Sequence, residues 1–421
     1  PTEVPGFGSR PAIAVLPFDD LSPDPDDAYF AEALVEELTT GLASWRWFPV
    51  IARNSATAIG IGPHDLARVS RELGARFLLE GSVRRAGERI RIHVQLIDGT
   101  SGQHVMAEKL DSATGDLFAV QDDLVQRIVG ALAPILLRVE GLRALRRPVD
   151  SLDRWERFQR AMLVVYRLRP AEIEDAVELL AQVVADAPEF AAAHAGLSHA
   201  LFVAGVLALA STQRQAGGPE QRNEVAARAF AHFAHAEQAG RRATELDPLD
   251  PAAFLGLGVG LAFRGRLEQA IATFERCLEL SPSSARGAFA LAVCLGWTER
   301  WEEAVPLLER AVRLSPKDPL HYVFEAFLSA THLRAGRYEE ALAHVHRSLQ
   351  AEPEIAISAR PFEPAALAHL GRLDEARGLT DELRARNPNW NLQLARTILP
   401  PPVIEALVAG LRLAGWESLD R

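Results

Sequence analysis

Two stretches of this 421-residue chain superimpose without a gap. Phe254, Leu257, Gly258, Leu261, Ala270, Phe274, Cys277 and Pro282 fall opposite Ala288, Leu291, Ala292, Leu295, Ala304, Leu308, Ala311 and Pro316. All eight pairs share one offset of about 34 residues, enough for a helix, a turn and a second helix. In each unit, small residues stand where the two helices would cross, and a proline closes the unit. A single helical hairpin leaves an apolar face in water, so such units persist only as a stack, and neighbours are expected on both sides. The spacing from Ala270 to Pro282 recurs from Ala341 to Pro353 and Ala376 to Pro388 downstream, and from Ala236 to Pro248 and Ala176 to Pro188 upstream. Only the step from Pro188 to Pro248 is badly out of period, by about 26 residues. That places an insertion at about 204–236, with Gly217, Gly218 and Pro219 as its loop signal.

This pattern resembles the tetratricopeptide repeat family. The resemblance implies an all-α superhelix over 153–388. In the closing region 389–421, Pro400 to Pro402 break the chain and Ile404, Leu407, Leu411 and Leu413 form a capping helix, with Trp416 just beyond it. It also implies a concave wall built from the first helix of each hairpin, where Leu255, Val259 and Phe263, then Phe289, Val293 and Trp297, face inward. Every one is apolar. The lysine, asparagine or arginine needed to clamp a terminal carboxylate is absent from those places. The implied partner is an apolar or helical segment of another protein or of this chain itself. The alternative is that the six residues pack against the insertion or the closing helix and bind nothing foreign.

The first 150 residues follow other rules. After a Pro/Gly-rich linker, 1–11, the run Ala12 to Phe18 reads as a buried strand, stopped by an acidic loop from Asp19 to Asp27. Phe30, Leu34, Leu38 and Leu42 mark an amphipathic helix, and Phe48 to Arg53 a second strand. Leu66, Val69 and Leu73 mark another helix, closed by Gly74. From Arg76 the period changes to two: Ile90, Ile92, Val94 and Leu96 alternate with Arg91, His93 and Gln95, giving a meander that ends near Lys109. Asp116 can cap a helix whose stripe is Leu117, Val120, Leu124, Ile128 and Leu132. The order β-α-β-α-β-β-β-α predicts an α+β domain over 12–147, a mixed sheet with helices on one side, followed by a linker at 148–152.

This segment resembles the TolB amino-terminal-like domain. The residues carrying the likeness are Ala14-Val15-Leu16-Pro17-Phe18, Tyr29-Phe30-Ala31, Val50-Ile51-Ala52-Arg53, Glu72-Leu73-Gly74, Leu79-Glu80-Gly81-Ser82-Val83-Arg84 and Gln95-Leu96-Ile97-Asp98. Joined to tetratricopeptide repeats, it is similar to the regulatory region of bacterial class III adenylate or guanylate cyclases and of winged-helix transcription regulators. By that resemblance an effector domain would precede Pro1. The chain itself is expected to be a non-catalytic sensory or scaffolding region.

Charge and motifs remove other classes. A net charge of −11 opposes broad contact with nucleic acid or anionic lipid. No uninterrupted run of 18 apolar residues is present, so no membrane span is expected. Cys277 and Cys294 lie on apolar stripes and read as small buried hydrophobes. Gly256, Gly258 and Gly260 in GLGVG lack the preceding strand that a nucleotide cradle requires. The acids of the Asp19–Asp27 loop are interrupted by Pro23 and Pro25 and lack an EF-hand's glycine and final glutamate. His344 and His346 stand two apart and point different ways on a helix, and neither HExxH nor GxSxG occurs. The expectation is therefore a protein partner, with no catalytic residue, metal or cofactor. Self-association and the choice between cytoplasm and periplasm stay open.

Overall fold

A computed structural model describes residues 10–24, 28–52, 55, 66–113, 116–214, 219–351, 359–386, 392, 395–396 and 399–416. Its amino-terminal part is built on β1 (Ala12–Val15), four apolar residues all buried. Because both parities of β1 are apolar, both faces of the sheet need a cover. Ile13 and Val15 face a core shared with α1 (Ala28–Ala43) and α3 (Leu117–Leu145), whereas Ala12, Ala14 and Leu16 join Val69 of α2 (Leu66–Leu73). The expectation of helices on one side is thus corrected: α2 covers the opposite face.

The sheet order is β1-β3-β4-β5, with β1 parallel to β3 (Ala75–Ala86) and the meander β3, β4 (Arg89–Asp98), β5 (Gln103–Ala113) antiparallel. Leu79 faces Leu96, Val83 faces Ile92 and Met106 faces Leu96, so the alternation read from β4 sets the register. Two expectations need revision. The acidic loop begins as a short edge strand, β2 (Asp19–Asp20), paired parallel to Ser82 and Val83. Of the second strand, expected over Phe48 to Arg53, residues 48–52 show only a bridge between Val50 and Ile13, and Arg53 lies outside the described residues. Helix α3 starts where expected, with the Asp116 carboxylate accepting from the N–H groups of Phe118 and Ala119.

A short 3-10 turn, Val149–Ser151, leads into a run of helices. They pair as α4 (Arg154–Tyr166) with α5 (Ile173–Asp186), α6 (Ala191–Arg214) with α7 (Pro219–Leu246), and α8 (Pro251–Phe263) with α9 (Leu267–Leu280). Next come α10 (Ala285–Trp297) with α11 (Trp301–Leu314), α12 (His321–Arg334) with α13 (Tyr338–Ala351), and α14 (Phe362–His369) with α15 (Leu373–Arg386). The out-of-period residues lengthen both members of the second pair, to 24 and 28 residues. Gly217 and Gly218 of the insertion signal, and the closing prolines Pro353 and Pro388, lie outside the described residues. Within α6, Ala191–Leu209 is long and apolar enough by length and composition to cross a membrane, and 72% of that stretch is buried inside the protein. Gly258 of α8 shows why the repeat needs small residues at its crossings: a Cβ there would stand 2.3 Å from the Phe274 ring.

Pro401 and Pro402 open the last helix, α16 (Pro401–Leu413), where a missing N–H costs nothing. Val403, Ile404, Leu407 and Leu411 close over α12 and α14, and Trp416 is buried with them under the Arg384 guanidinium.

Candidate protein-interaction surface

The six residues expected on the concave wall sit on α8 and α10. Val259 is buried, and Leu255, Phe263, Phe289, Val293 and Trp297 are each partly exposed. Five of them share one cluster; Val293 stands outside it. Phe263 is the hub. Its ring lies 5.1 Å from Phe202 of α6, 4.8 Å from Phe233 of α7 and 5.5 Å from Trp297. Phe289 turns the other way, 4.9 Å from Phe324 and 5.0 Å from Phe327 of α12. The expected wall thus holds two groups of rings: Phe202, Phe263 and Trp297 over the buried Phe233, and Phe289 with Phe327 over the buried Phe324, the upper rings of each being partly exposed.

One end of that wall holds polar groups that the reading by position in the repeat missed. The Arg286 guanidinium stacks 3.8 Å from the Tyr166 ring and donates from Nε and Nη2 to Asp318 at 3.1 and 3.0 Å. Burial works against the Arg286 charge, but Asp318 and Tyr166 outweigh it, so its pKa lies above the ordinary arginine value. Beside Tyr166, burial drives His199 down to about 3, with Arg286 adding to the effect. His199 is thus neutral, and neither ring nitrogen has a hydrogen-bond partner among the described residues. A near-period arginine–aspartate spacing, 286 to 318, was the available signal. It went unread because Arg286 stands one place inside its helix rather than at the fifth, ninth or thirteenth.

A second surface of the same superhelix, the row of turns joining one hairpin to the next, is covered by the amino-terminal domain. Trp47 Nε1 donates to Asp250 Oδ2 at 3.3 Å, and Arg46 Nε donates to Asp247 Oδ2 at 2.9 Å, both in the turn between α7 and α8. Further along, α3 lies against the next two turns. Ser315 Oγ donates to the Gly130 carbonyl at 3.3 Å, Arg310 donates to Gln126 Oε1 at 2.9 Å, and Lys317 pairs with Glu108. Gly130 permits this approach, since a Cβ would stand 2.7 Å from the Leu314 carbonyl oxygen and 3.1 Å from that of Ser283. Asp250 is 2% exposed, and burial raises its carboxyl to about 7 although it accepts from Ala252 N and Trp47.

The remaining candidates are structural in their surroundings. His344 contacts Glu325 at 2.6 Å and His346 contacts Glu363 at 2.9 Å, so the two imidazoles serve different carboxylates. Burial alone would raise Glu325, but hydrogen bonds with His321 and His344 and the nearby Arg347 bring it to about 2. Among the described residues no group of three or more His, Cys, Asp or Glu could hold a metal ion. Burial pushes the thiols of Cys277 and Cys294 up to about 12, which makes them poor nucleophiles.

Comparison with known proteins separates the two regions in the same way. Residues 9–128 match the family model for the second domain of HilA/YgeH-like transcriptional regulators, and 225–285 and 261–326 match tetratricopeptide repeat models. The carboxy-terminal half thus carries tetratricopeptide repeats, and the amino-terminal domain is HilA-like. A Rhizobium meliloti (strain 1021) protein named "Putative adenylate cyclase 3" is 36% identical over 266 residues, 63% of this chain. The chain spans less than half of that relative's length, 43%. Among solved structures, YrrB, described as a tetratricopeptide protein with an unusual peptide-binding site, is 18% identical, covering 50% of this chain and 94% of its own, with a TM-score of 0.32. A thermophilic tetratricopeptide protein of Thermus thermophilus is 22% identical over 44% and 96% of the two chains, with a TM-score of 0.34. The likeness to TolB is weak: the Acinetobacter baumannii protein is 19% identical over 30% and 28% of the two chains, with a TM-score of 0.23.

Proposed function

We propose that this chain is a protein-interaction region of a bacterial signalling protein whose concave wall takes an apolar or helical segment. Tetratricopeptide repeats indicate a scaffold with protein or peptide partners. The observation that carries the finer reading is the set of rings Phe202, Phe263 and Trp297 with Leu255, Phe289 and Val293, partly exposed along neighbouring first helices, and Val259 buried beneath them. Burying it under a partner supplies affinity without a charged anchor. No bond is made or broken by these residues. The test uses a labelled amphipathic leucine-rich helix as probe, in fluorescence anisotropy with the full chain. Saturable binding is expected, together with its loss in the variant Phe289→Ser plus Trp297→Ser. Undiminished binding by a folded variant would sink the groove reading.

A second reading is favoured by the 36% identity to a protein named as a cyclase and by the HilA-like match. In it the chain is the regulatory half of an adenylate cyclase or of a transcription regulator, its effector domain encoded before Pro1. The two readings are compatible, because a regulatory half can act through the same wall. Incubating the chain alone with ATP and a divalent metal is expected to give no cyclic AMP. Adding the segment encoded upstream is expected to restore activity under this second reading only.

A further inference from the structure

We propose that Arg241, Arg264 and Arg266 form an anchor for an acidic residue of the segment that lies on the concave wall. The proposal rests on the reading of that wall as a binding surface, and it adds the charge that the partner must carry. Arg264 and Arg266 flank Gly265 in the turn between α8 and α9, at the far end of α8 from Asp250 and the turns that the amino-terminal domain covers. Gly265 makes that turn with a φ of 75°, which a side chain would disfavour. Gly260 lets α7 come close to α8, since a Cβ there would stand 2.5 Å from the Glu237 nitrogen. Both arginines thereby reach Glu237: Arg264 Nη1 donates to Oε2 at 2.6 Å and Arg266 Nη1 to Oε1 at 2.9 Å. Arg241, one turn further along α7, donates to Oε1 from Nε at 3.0 Å and from Nη2 at 2.8 Å.

The charges of this cluster do not balance. Burial alone would raise the Glu237 carboxyl, but the Arg241 hydrogen bond and the charges of Arg266 and Arg264 hold it below its ordinary value, so it is ionised at neutral pH. It answers one cation of the three, and among the described residues no other carboxylate pairs with any of them. The Glu237 side chain is 6% exposed, whereas those of Arg241, Arg264 and Arg266 are 49%, 38% and 41% exposed, so the surplus charge is the part that faces water. Cations fixed side by side at a surface favour an anion. Other hairpins of the same stack show which kind. Arg300 and Arg372 hold the place of Arg266, and each grips the glutamate three residues on through Nε and Nη2: Glu303 at 2.7 Å from both nitrogens, Glu375 at 2.8 and 2.6 Å. Three residues after Arg266 stands Gln269, which has no charge to offer. The Nε and Nη2 pairs of Arg264 and Arg266 have no hydrogen-bond partner among the described residues, and such a pair fits a carboxylate with two parallel bonds.

This anchor adjoins the wall. Arg264 follows Phe263 directly, and Glu237 stands one turn after Phe233, whose ring lies 4.8 Å from that of Phe263. Phe230, a turn earlier on α7, is exposed. A partner segment with an apolar residue over Phe263 and an acid beside it thus engages both. The chain as a whole carries −11, so the attraction is local and screened beyond about 10 Å rather than a field that gathers acidic chains from a distance.

The experiment is fluorescence anisotropy of the full chain with two labelled leucine-rich helices that differ only in carrying glutamate or glutamine beside the apolar stripe. The glutamate helix is expected to bind about fivefold more tightly at low salt, the sum of two half-exposed ion pairs, and the preference is expected to vanish at high salt. Arg264→Ala plus Arg266→Ala is expected to abolish the preference and to leave the affinity for the glutamine helix unchanged. Gln269→Glu, which gives Arg266 the partner that Glu303 gives Arg300, is expected to reduce the preference about twofold. Equal affinities of the two helices for the wild type overturn the anchor and leave the wall reading standing. Binding of the glutamate helix alone overturns the wall reading and keeps the anchor, and binding of neither overturns both. A preference that persists in the folded double variant also overturns the anchor. If that variant melts early, Gln269→Glu decides, with an unchanged preference counting against the anchor.

Discussion

The turn edge and the concave wall belong to the same stack of hairpins, yet they are built for different kinds of contact. On the edge, contacts are directional and fixed in place: an indole N–H on Asp250, a guanidinium on Asp247, a serine hydroxyl on the Gly130 carbonyl. On the wall they are aromatic and only partly complete, with Phe263 and Trp297 covered by neighbouring rings and still partly exposed. Hydrogen bonds and a close backbone approach specify one partner in one register, and that partner is already present. A partly exposed set of aromatic rings specifies little beyond shape and burial, so it suits a partner that comes and goes.

The strongest way to break this contrast is at Gly130. A side chain there meets the backbone carbonyls of Leu314 and Ser283, and carbonyls cannot rotate aside as a side-chain tip can. Gly130→Leu is expected to cost about 3 kcal/mol or more through overpacking against fixed backbone. In urea titration it should split one cooperative transition into two, with the linker after α3 becoming a protease site. Binding of an apolar probe to the wall should survive in the same variant. A single transition with the wild-type midpoint would show that the edge does not hold the domains together.

Acidity sharpens the comparison, because burial lifts the Asp250 carboxyl of the edge, whereas Asp318 at the end of the wall is held by the Arg286 guanidinium. Asp250 is raised from its ordinary 3.8 to about 7, with burial the main cause. A folded pKa above the unfolded one means that the native state binds the extra proton. The contribution of this group is therefore fully present below pH 4 and is lost as pH rises toward 7. The loss is on the order of 4 kcal/mol. Glu325 runs the opposite way: its carboxyl lies near 2, so its contribution is present above the ordinary glutamate range and is lost only as pH falls toward 2. Asp250→Asn keeps a capping residue and removes the titration. Its stability relative to wild type should rise between pH 5 and pH 8, measured by chemical denaturation at each pH. A constant difference would mean that Asp250 ionises freely.

The repeats were legible because their constraint is local and recurrent. Gly258 opposite Ala292, and Phe274 opposite Leu308, follow from one rule about how two helices cross, and that rule leaves its mark every period. The sheet was legible where one face is wet, as in β4, where Ile90 and Ile92 alternate with Arg91 and His93. It was misread where both faces are covered. β1 is apolar throughout, which calls for a cover on both faces but does not say that α2 supplies the second. The docking edge was illegible for a different reason. Trp47 and Asp250 stand about 200 residues apart, and the turns along that edge are made mainly of proline, serine and aspartate, which any turn prefers. The six wall residues could be named from their places in the repeat, but their aromatic partners Phe202 and Phe327 could not, because α6 is lengthened and α12 follows a longer interval.

On the wall the expected cost of substitution is smaller than on the edge. Phe289 packs on Phe324 and Phe327 yet stays partly exposed, so Phe289→Ala should cost about 1–2 kcal/mol, below the range for a fully buried phenylalanine. Trp297→Ala should cost a similar amount or less, since Phe263 retains Phe202 and Phe233. Thermal denaturation of the single variants tests this. Losses as large as those of core positions such as Phe274 would mean that these rings serve folding rather than recognition.

The smallest effect separates two opposing contributions at one residue. Arg46 donates to Asp247 across the domain edge, but its backbone sits at φ 60°, where a side chain is disfavoured. The pair is partly exposed, with side-chain accessibilities of 43% and 21%, so it is worth about 0.2–1 kcal/mol. The left-handed backbone costs about 1 kcal/mol for a residue with a Cβ. Arg46→Gly therefore loses the ion pair and relieves the backbone together, and its stability should lie within about 0.5 kcal/mol of wild type. Arg46→Ala loses the pair without that relief and should be the less stable of the two by about 1 kcal/mol. High salt should remove the contribution of the pair, leaving Arg46→Gly the most stable of the three proteins. If instead both variants fall equally below wild type at every salt concentration, the edge depends on the reach of the Arg46 side chain, and the left-handed turn carries no strain worth relieving.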